Sequence, residues 1–160
     1  MLVIPYKRVN GRLLYCVFKT REGYWQFIAG GGEGRACPVP ENSKWNRACP
    51  VPERSEWYRE TPLRAARRET WEESGIRSGR MTRLESMATI PKYHFSEHRD
   101  KKGFYVVPEY AFALEVGRHE KVVLSEEHVA CAWVSYAQAV KRLEFDSNKN
   151  ALWELKERLR

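Results

Sequence analysis

The chain has 160 residues and a formal net charge of +7, with 28 lysines and arginines against 21 acidic residues. Its length favours a single domain, and an apolar fraction of 42% suits a globular protein with a real core. No apolar run approaches the length of a transmembrane helix, and residues 1–4 form an apolar start too short for a signal peptide. We therefore expect a cytoplasmic protein with no membrane partner.

The first half of the chain predicts a hairpin, a glycine turn and a helix. Strands are expected over residues 2–8 and 12–19, joined by Asn10-Gly11, because both of these residues tolerate positive φ. A short apolar run at 24–28 precedes three glycines at 30–32, which break regular structure. A helix should then begin at Thr61-Pro62, which suit an N-cap and a first turn, and end at Gly75.

The second half predicts three strands and two helices. The strands are expected over 82–92, 104–116 and 129–134, and Pro108 indicates an edge position or a bulge. The helices are expected over 136–143 and 148–159, the second capped by Asp146 or Ser147 and carrying leucines at helical spacing. Strands mixed with a few helices predict a layered α/β or α+β domain.

A tandem duplication occupies residues 35–58. Two copies of 12 residues follow each other directly and agree at nine positions. The copies are too few and too short for a solenoid, so an insert in a surface loop is the plainer interpretation. A substrate lid or partner contact carrying Trp45 and Trp57 is the alternative, and a disulfide between Cys37 and Cys49 is disfavoured in the cytoplasm.

Three glutamates share one side of the predicted helix. At about 100° per residue, Glu69, Glu72 and Glu73 fall within an arc of roughly 100°. Their mutual repulsion opposes folding unless a positive charge lies among them, and a hard divalent cation such as Mg²⁺ supplies one. Arg68 is four residues before Glu72 and can orient it. The alternative, an ordinary solvated acidic face, is weakened by the glycine turn, which suits a bound phosphate or metal.

The segment from Arg68 to Ile76 resembles the Nudix box, Gly-x5-Glu-x7-Arg-Glu-U-x-Glu-Glu-x-Gly-U, in which U is aliphatic. Glu60, Arg68, Gly75 and Ile76 match it directly, while Thr70 stands at an aliphatic position. Removing residues 35–58 restores the spacing between Gly30 and Glu60, so the repeat boundary and the motif agree on one insertion point. Residues 125–133 and 145–155 are similar to the dihydroneopterin triphosphate pyrophosphatase branch, also called dATP pyrophosphohydrolases.

The resemblance implies a Nudix fold, a mixed sheet sandwiched between helices, and a pyrophosphohydrolase that uses Mg²⁺ or Mn²⁺. It implies that Glu69, Glu72 and Glu73 bind metal beside Gly30, Gly31 and Gly32, with a backbone carbonyl near Ala29 or Gly30 as a further ligand. Glu127 is expected to bind metal or to act as the base, a role that Glu69 can also fill. Arg68 is expected to be structural.

The partner is expected to be a small phosphorylated molecule, a nucleoside or pterin triphosphate or another nucleoside-diphosphate-linked compound. Residues that could contact it are Trp25, Arg8, Lys19 and Tyr93. Two alternatives remain: hydrolysis at RNA 5′ ends, which the basic charge favours although nucleic acid is not the partner expected first, and a non-catalytic nucleotide-binding module on the same scaffold. A homodimer is expected on general grounds.

Overall fold

The computed structural model describes residues 1–32, 60–95, 98–100, 102–103 and 105–160. The duplicated segment 35–58, with Cys37, Cys49, Trp45 and Trp57, lies outside the described residues. The elements in chain order are β1 (Leu2–Val9), β2 (Arg12–Thr20), β3 (Trp25–Gln26), β4 (Ile28–Ala29), α1 (Pro62–Ser74), β5 (Arg80–Pro91), a 3₁₀ turn (Lys92–His94), β6 (Val106–Glu115), β7 (His128–Val134), α2 (Tyr136–Arg142) and α3 (Asp146–Arg158). None of the described helices is long and apolar enough to cross a membrane.

One mixed sheet organises these strands around β1. The strand pairs in parallel with β6 on one side, while β2 and then β4 pair antiparallel with it on the other. Strand β7 pairs with one edge of β2, and β1 and β3 pair with the other edge of β2. The predicted hairpin is confirmed, because Asn10 and Gly11 both adopt positive φ, at 50° and 76°. These pairings place the start of β1 next to β4, which leads directly into the glycine turn.

Helices cover both faces of the sheet. Ala66 of α1 and Ile76 pack on one face with strand residues such as Val3 and Phe18. On the other face, α2 and α3 contribute Ala139, Ala151, Leu152 and Leu155 to a second core cluster. The predicted sandwich of helices around a mixed sheet is therefore confirmed, and each sheet face is removed from water by its own helical layer.

Pro108 lies where the sequence predicts it, at a strand edge. It pairs with Thr89 of β5, whereas the register between β1 and β6 begins only at Ala111. A proline cannot donate to a ladder, so it is compatible with a strand segment paired on one side. A register shift between Arg83 and Met87 bends β5 along the same ladder.

The predicted cap of α3 is wrong. The helix begins at Asp146, with Phe145 in the N-cap position and no side-chain cap hydrogen bond. Asp146 stands in the first turn, where its charge suits the helix dipole. The local sequence did not reveal the tertiary contact of this first turn: Asn148, which is buried, accepts a hydrogen bond at 2.9 Å from the backbone N–H of Phe27. This contact ties α3 to the segment between β3 and β4.

We expect Asn148→Ala to lower the free energy of unfolding by about 1–3 kcal/mol, because it leaves the buried N–H of Phe27 without an acceptor. Urea unfolding followed by circular dichroism measures the change. Asn150→Ala is the matched control, since this residue lies on the same helix and is exposed. Equal stabilities of the two variants would contradict the role assigned to Asn148.

Candidate functional site

Helix α1 begins and ends as its sequence predicts. The Thr61 hydroxyl accepts from the Arg64 N–H at 3.3 Å, Pro62 opens the first turn, and Gly75 ends the helix with φ 67°. The Thr70 hydroxyl donates to the Ala66 carbonyl at 2.6 Å, so a polar group at a buried position of the helix is satisfied locally. The helix therefore presents Glu69, Glu72 and Glu73 on a backbone fixed at both ends.

The glycine turn lies directly against this acidic face. A β-carbon at Gly30 would stand 2.6 Å from Cγ of Glu69 and would overlap its carboxyl group. At Gly32, a β-carbon would come within 3.7 Å of the Glu60 carbonyl oxygen. A side chain at position 30 would therefore require the Glu69 carboxyl to move, and glycine leaves it in place. The two chain segments that flank the duplication meet here.

Arg68 joins the turn to the helix through all three nitrogens of its guanidinium. Nε and Nη2 donate to the two carboxylate oxygens of Glu60, at 3.1 and 2.9 Å. Nη2 also donates to the Gly31 carbonyl at 2.8 Å. Nη1 lies between two further carboxylates, 2.8 Å from Glu72 and 3.1 Å from Glu69. Only 10% of the Arg68 side chain is exposed. Because its planar guanidinium can donate to several acceptors at once, Arg68 connects the turn to the helix while little of it contacts solvent.

Glu73 is the most deeply buried of the three glutamates, with 3% of its surface exposed. Burial, together with the neighbouring carboxylates Glu69 and Glu127, raises its pKa to about 9, although a hydrogen bond with the Ala29 backbone acts in the opposite direction. Its Oε2 has no hydrogen-bond partner among the described residues. Nε2 of His128 lies 3.6 Å from this oxygen, and burial lowers the pKa of that histidine. Glu73 is thus a desolvated carboxyl with an unused oxygen.

Glu69 is half-buried beside Glu73. Burial raises its pKa, and the Glu72 and Glu127 charges add to this, whereas Arg68 lowers it. A positive charge placed near Glu69 and Glu73 would stabilise their ionised carboxylates. Among the described residues, however, no three Asp, Glu, His or Cys side chains converge as they stand on a point that could hold a metal ion. Glu69 and Glu72 share Nη1 of Arg68 in this arrangement.

The loop before β7 brings Glu127 to the same end of α1. The backbone N–H groups of Val123 and Ser125 donate to the carbonyls of Ser74 and Glu73, at 2.9 and 3.1 Å. These bonds satisfy carbonyls that the end of a helix leaves free. Glu127 follows on the exposed side of the loop and acts electrostatically on Glu69 and Glu73. Glu127 therefore lies near enough to Glu69 and Glu73 for its charge to raise the pKa of both.

Two of the four residues predicted to contact substrate, Trp25 and Lys19, are neighbours, and the other two lie on other elements. Trp25 is half-buried under the Arg142 guanidinium, 5.1 Å from the ring centre, and packs against the core on the α2 and α3 side. Lys19 pairs with Trp25 across β2 and β3. Arg8 is exposed near the end of β1, about 20 Å along the strand from Leu2 at ~3.3 Å per residue. Tyr93, 59% exposed, stacks on His94. Their contact with substrate stays a prediction.

His128 was missed by the sequence analysis. It is the first residue of β7, it is 6% exposed, and its ring contacts Phe18 at 5.3 Å between centroids. Its position next to Glu127 was the available signal, but a lone histidine at a strand start is more often a packing residue. Its nearness to Glu73 depends on the loop that ties β7 to α1, which no local pattern reveals.

We expect Glu73→Gln to stabilise the metal-free protein at neutral pH. The folded-state pKa is raised to about 9, so the stability associated with the neutral carboxyl is present below the ordinary value of 4.5 and is lost as pH rises toward 9. Glutamine removes this penalty and adds up to about 3 kcal/mol at pH 7. Urea unfolding in EDTA at pH 4 and pH 7 measures the difference.

The gain should be absent at pH 4, and exposed Glu144→Gln should show no such gain at either pH. If Glu73→Gln lowers the free energy of unfolding at pH 7, or changes it equally at both pH values, then ionising Glu73 does not destabilise the folded protein.

Comparison with known proteins identifies the family. The NUDIX domain matches residues 7–154. A Listeria monocytogenes protein described as a NUDIX hydrolase is 37% identical, with a TM-score of 0.71, and the match covers 99% of this chain and 91% of that one. The E. coli dihydroneopterin triphosphate pyrophosphohydrolase (20% identity, TM-score 0.65, 97% and 93% covered) and a C. elegans Ap4A hydrolase (18%, 0.59, 98% and 93%) share the fold.

No curated protein matches the chain at a significant level. The domain match spans nearly the whole sequence, and the resemblance drawn from the motif agrees with it. The chain therefore belongs to the Nudix family and is a hydrolase that acts on phosphorus-containing anhydrides.

Proposed function

We propose that the protein is a Mg²⁺-dependent pyrophosphohydrolase of a nucleoside or pterin triphosphate, or of another nucleoside-diphosphate-linked substrate. One observation carries the proposal. Arg68 holds Gly31 and Glu60, from the two sides of the duplication, together with Glu69 and Glu72, next to the buried Glu73. The parts of the Nudix motif thus lie together in space, although 24 residues of repeated sequence separate them in the chain.

The donor set fits a hard divalent cation. Glu69 and Glu73 are carboxyls whose burial raises their pKa, and Glu73 has an oxygen that no described residue bonds. A cation with a preference for carboxylate oxygens would relieve both conditions. Glu69, Glu72 and Glu73 would hold it, with Glu127 available from the loop and Mn²⁺ as a substitute for Mg²⁺. When bound, the ion neutralises diphosphate charge and lowers the pKa of a bound water.

The protein's own groups divide the remaining work. Glu69 or Glu127 takes the proton of the attacking water at a carboxylate oxygen. Glu69 is half-buried with a raised pKa, which makes its carboxylate a better proton acceptor, while Glu127 is exposed and free to reach the water from the loop. Arg68 is a positioning residue. Its bonds fix the glutamates and the Gly31 carbonyl without contacting the reacting atoms.

Known ligands of structurally similar proteins support this substrate range. Proteins with the same fold act on dihydroneopterin triphosphate and Ap4A, and a Shewanella oneidensis NrtR NUDIX domain binds ADP ribose. These three compounds share a phosphoanhydride linkage and a ring system. We infer a substrate with the same two parts for this chain.

Arg68→Lys should lower kcat/KM about 10- to 100-fold, because one ammonium cannot satisfy Glu60, Gly31 and Glu72 together. Steady-state kinetics with a saturating cation measures the loss, and titration of the free protein with Mn²⁺ should show weaker binding. Arg64→Lys on the exposed side of α1 is the control and should leave both unchanged. Full activity and Mn²⁺ affinity in Arg68→Lys would contradict the positioning role.

A substrate panel tests the proposed function itself. The panel holds the dNTPs, dihydroneopterin triphosphate, nucleotide sugars, and capped and triphosphorylated RNA, each with Mg²⁺, and Glu72→Gln serves as the control. Pyrophosphate release from a small triphosphate, absent in the variant, is the expected result. Turnover of RNA alone would move the assignment to 5′-end processing. No turnover at all would leave a nucleotide-binding role.

A further inference from the structure

Two cysteines lie side by side on neighbouring strands of the sheet. Cys16 of β2 pairs with Trp133 of β7, and Phe18 of β2 pairs with Cys131 of β7. Because residues two apart on a strand point to the same face, Cys16 and Cys131 are diagonal neighbours on one face of the sheet. Both pack in the core cluster on the α1 side, and their side chains are hydrogen-bonded to each other. The two strands thus hold a pair of adjacent thiols.

The two thiols differ in exposure and in acidity. Cys16 is fully buried, whereas Cys131 is partly exposed. The hydrogen bond with Cys16 lowers the pKa of Cys131 to about 7, although burial acts in the opposite direction. The same hydrogen bond, and then burial, raise the pKa of Cys16. Because the thiolate is the reactive form of cysteine, an oxidant in solution reacts first with Cys131, and Cys16 is the second thiol beside it.

The spacing of the pair indicates what a bond between the two sulfurs would do to the sheet. Diagonal residues on antiparallel strands have Cα atoms about 7–8 Å apart, whereas an unstrained disulfide holds them about 4.4–6.8 Å apart. The strands must therefore shift by roughly 1 Å before the bond can form. A disulfide formed against such a shift is easily reduced, as labile and regulatory disulfides are.

A shift of β7 would reach the acidic face of α1. The strand begins at His128, whose Nε2 lies 3.6 Å from Oε2 of Glu73. The loop before the strand is bonded to the end of α1, since the Ser125 N–H donates to the Glu73 carbonyl at 3.1 Å. Movement of β7 therefore displaces groups that contact Glu73 through both its side chain and its backbone.

We propose that Cys16 and Cys131 form a reversible disulfide when a hydroperoxide oxidises the protein, and that this bond weakens cation binding at the acidic face of α1. First, the Cys131 thiolate attacks hydrogen peroxide, becomes a sulfenic acid and releases hydroxide, which takes up the proton that the thiol lost. The Cys16 sulfur then displaces the hydroxyl group from Cys131, which leaves with the Cys16 proton as water. Two thiols are oxidised and one peroxide is reduced to two waters.

Mass spectrometry of the full-length protein tests the bond directly. The chain has four cysteines, so Cys37→Ser and Cys49→Ser are introduced first to leave only the pair. Equimolar hydrogen peroxide should then give a protein lighter by two hydrogens, with no thiol open to alkylation and a peptide pair joined through Cys16 and Cys131. A phosphine reductant should restore both thiols. If both thiols remain open to alkylation, or if Cys131 is oxidised without a bond to Cys16, the proposal is overturned.

Two matched variants in the same background test the order of the steps. Cys16→Ala should leave a sulfenic acid on Cys131 that dimedone traps, because the second thiol is absent. Cys131→Ala should leave Cys16 unmodified, because the buried thiol is out of reach of the oxidant. Equal dimedone labelling of the two variants would contradict the assigned order. Should either variant fail to fold, the peptide mapping with both cysteines present still decides whether the bond forms.

Titration with Mn²⁺ tests the effect on the acidic face, which is the part that rests on the proposed function. The oxidised protein should bind Mn²⁺ about 10-fold more weakly than the reduced protein, as expected when the groups that support metal ligands are displaced. Cys16→Ala treated with the same peroxide is the control and should keep its affinity. Equal affinity in the two redox states would overturn the coupling. If the reduced protein binds no Mn²⁺, the proposed function and the coupling both fail, whereas the disulfide is judged by its mass alone.

Discussion

The constraint on which this site depends is the demand for positive charge at the acidic face of α1. Among the described residues, Arg68 meets much of it, by bonding Glu60, Glu72 and the Gly31 carbonyl, with Glu69 in ion-pair contact. The contacts of Arg68 with Glu60 and Glu69 are screened little by solvent, because these three side chains are at most 15% exposed. The same side chain also bonds the glycine turn to the helix, so one residue both offsets the negative charge and holds the two segments together.

Glu73 shows what this arrangement leaves unsatisfied. Its carboxyl is buried beside Glu69 and within reach of His128, yet Arg68 does not bond it. The cost of holding such a group ionised works against the folded state and in favour of a bound cation. Stability and ligand affinity are therefore opposed at this position.

Much of the fold follows from local patterns. The hairpin at Asn10-Gly11, the limits of α1 and the edge position of Pro108 each rest on backbone chemistry that a few neighbouring residues determine. The start of α3, the nearness of His128 to Glu73 and the burial of Glu109 could not be predicted, because each arises where distant segments meet. The spacing of the glutamates, the Arg68–Glu72 pair and the adjacent glycine turn were readable, whereas the contact between Glu73 and His128 was not.

The closure of the turn by Arg68 also bears on how such a sequence can arise. The repeats lengthen the connection between Gly31 and Glu60 from 4 to 28 residues. Closure entropy grows only with the logarithm of length, so this sevenfold extension costs about 1.7 kcal/mol. A domain in which one guanidinium bonds both ends of the connection, Gly31 and Glu60, can tolerate this loss of stability. Tandem duplication at this junction is thus tolerable, and the junction is a natural point for grafting foreign peptide into the scaffold.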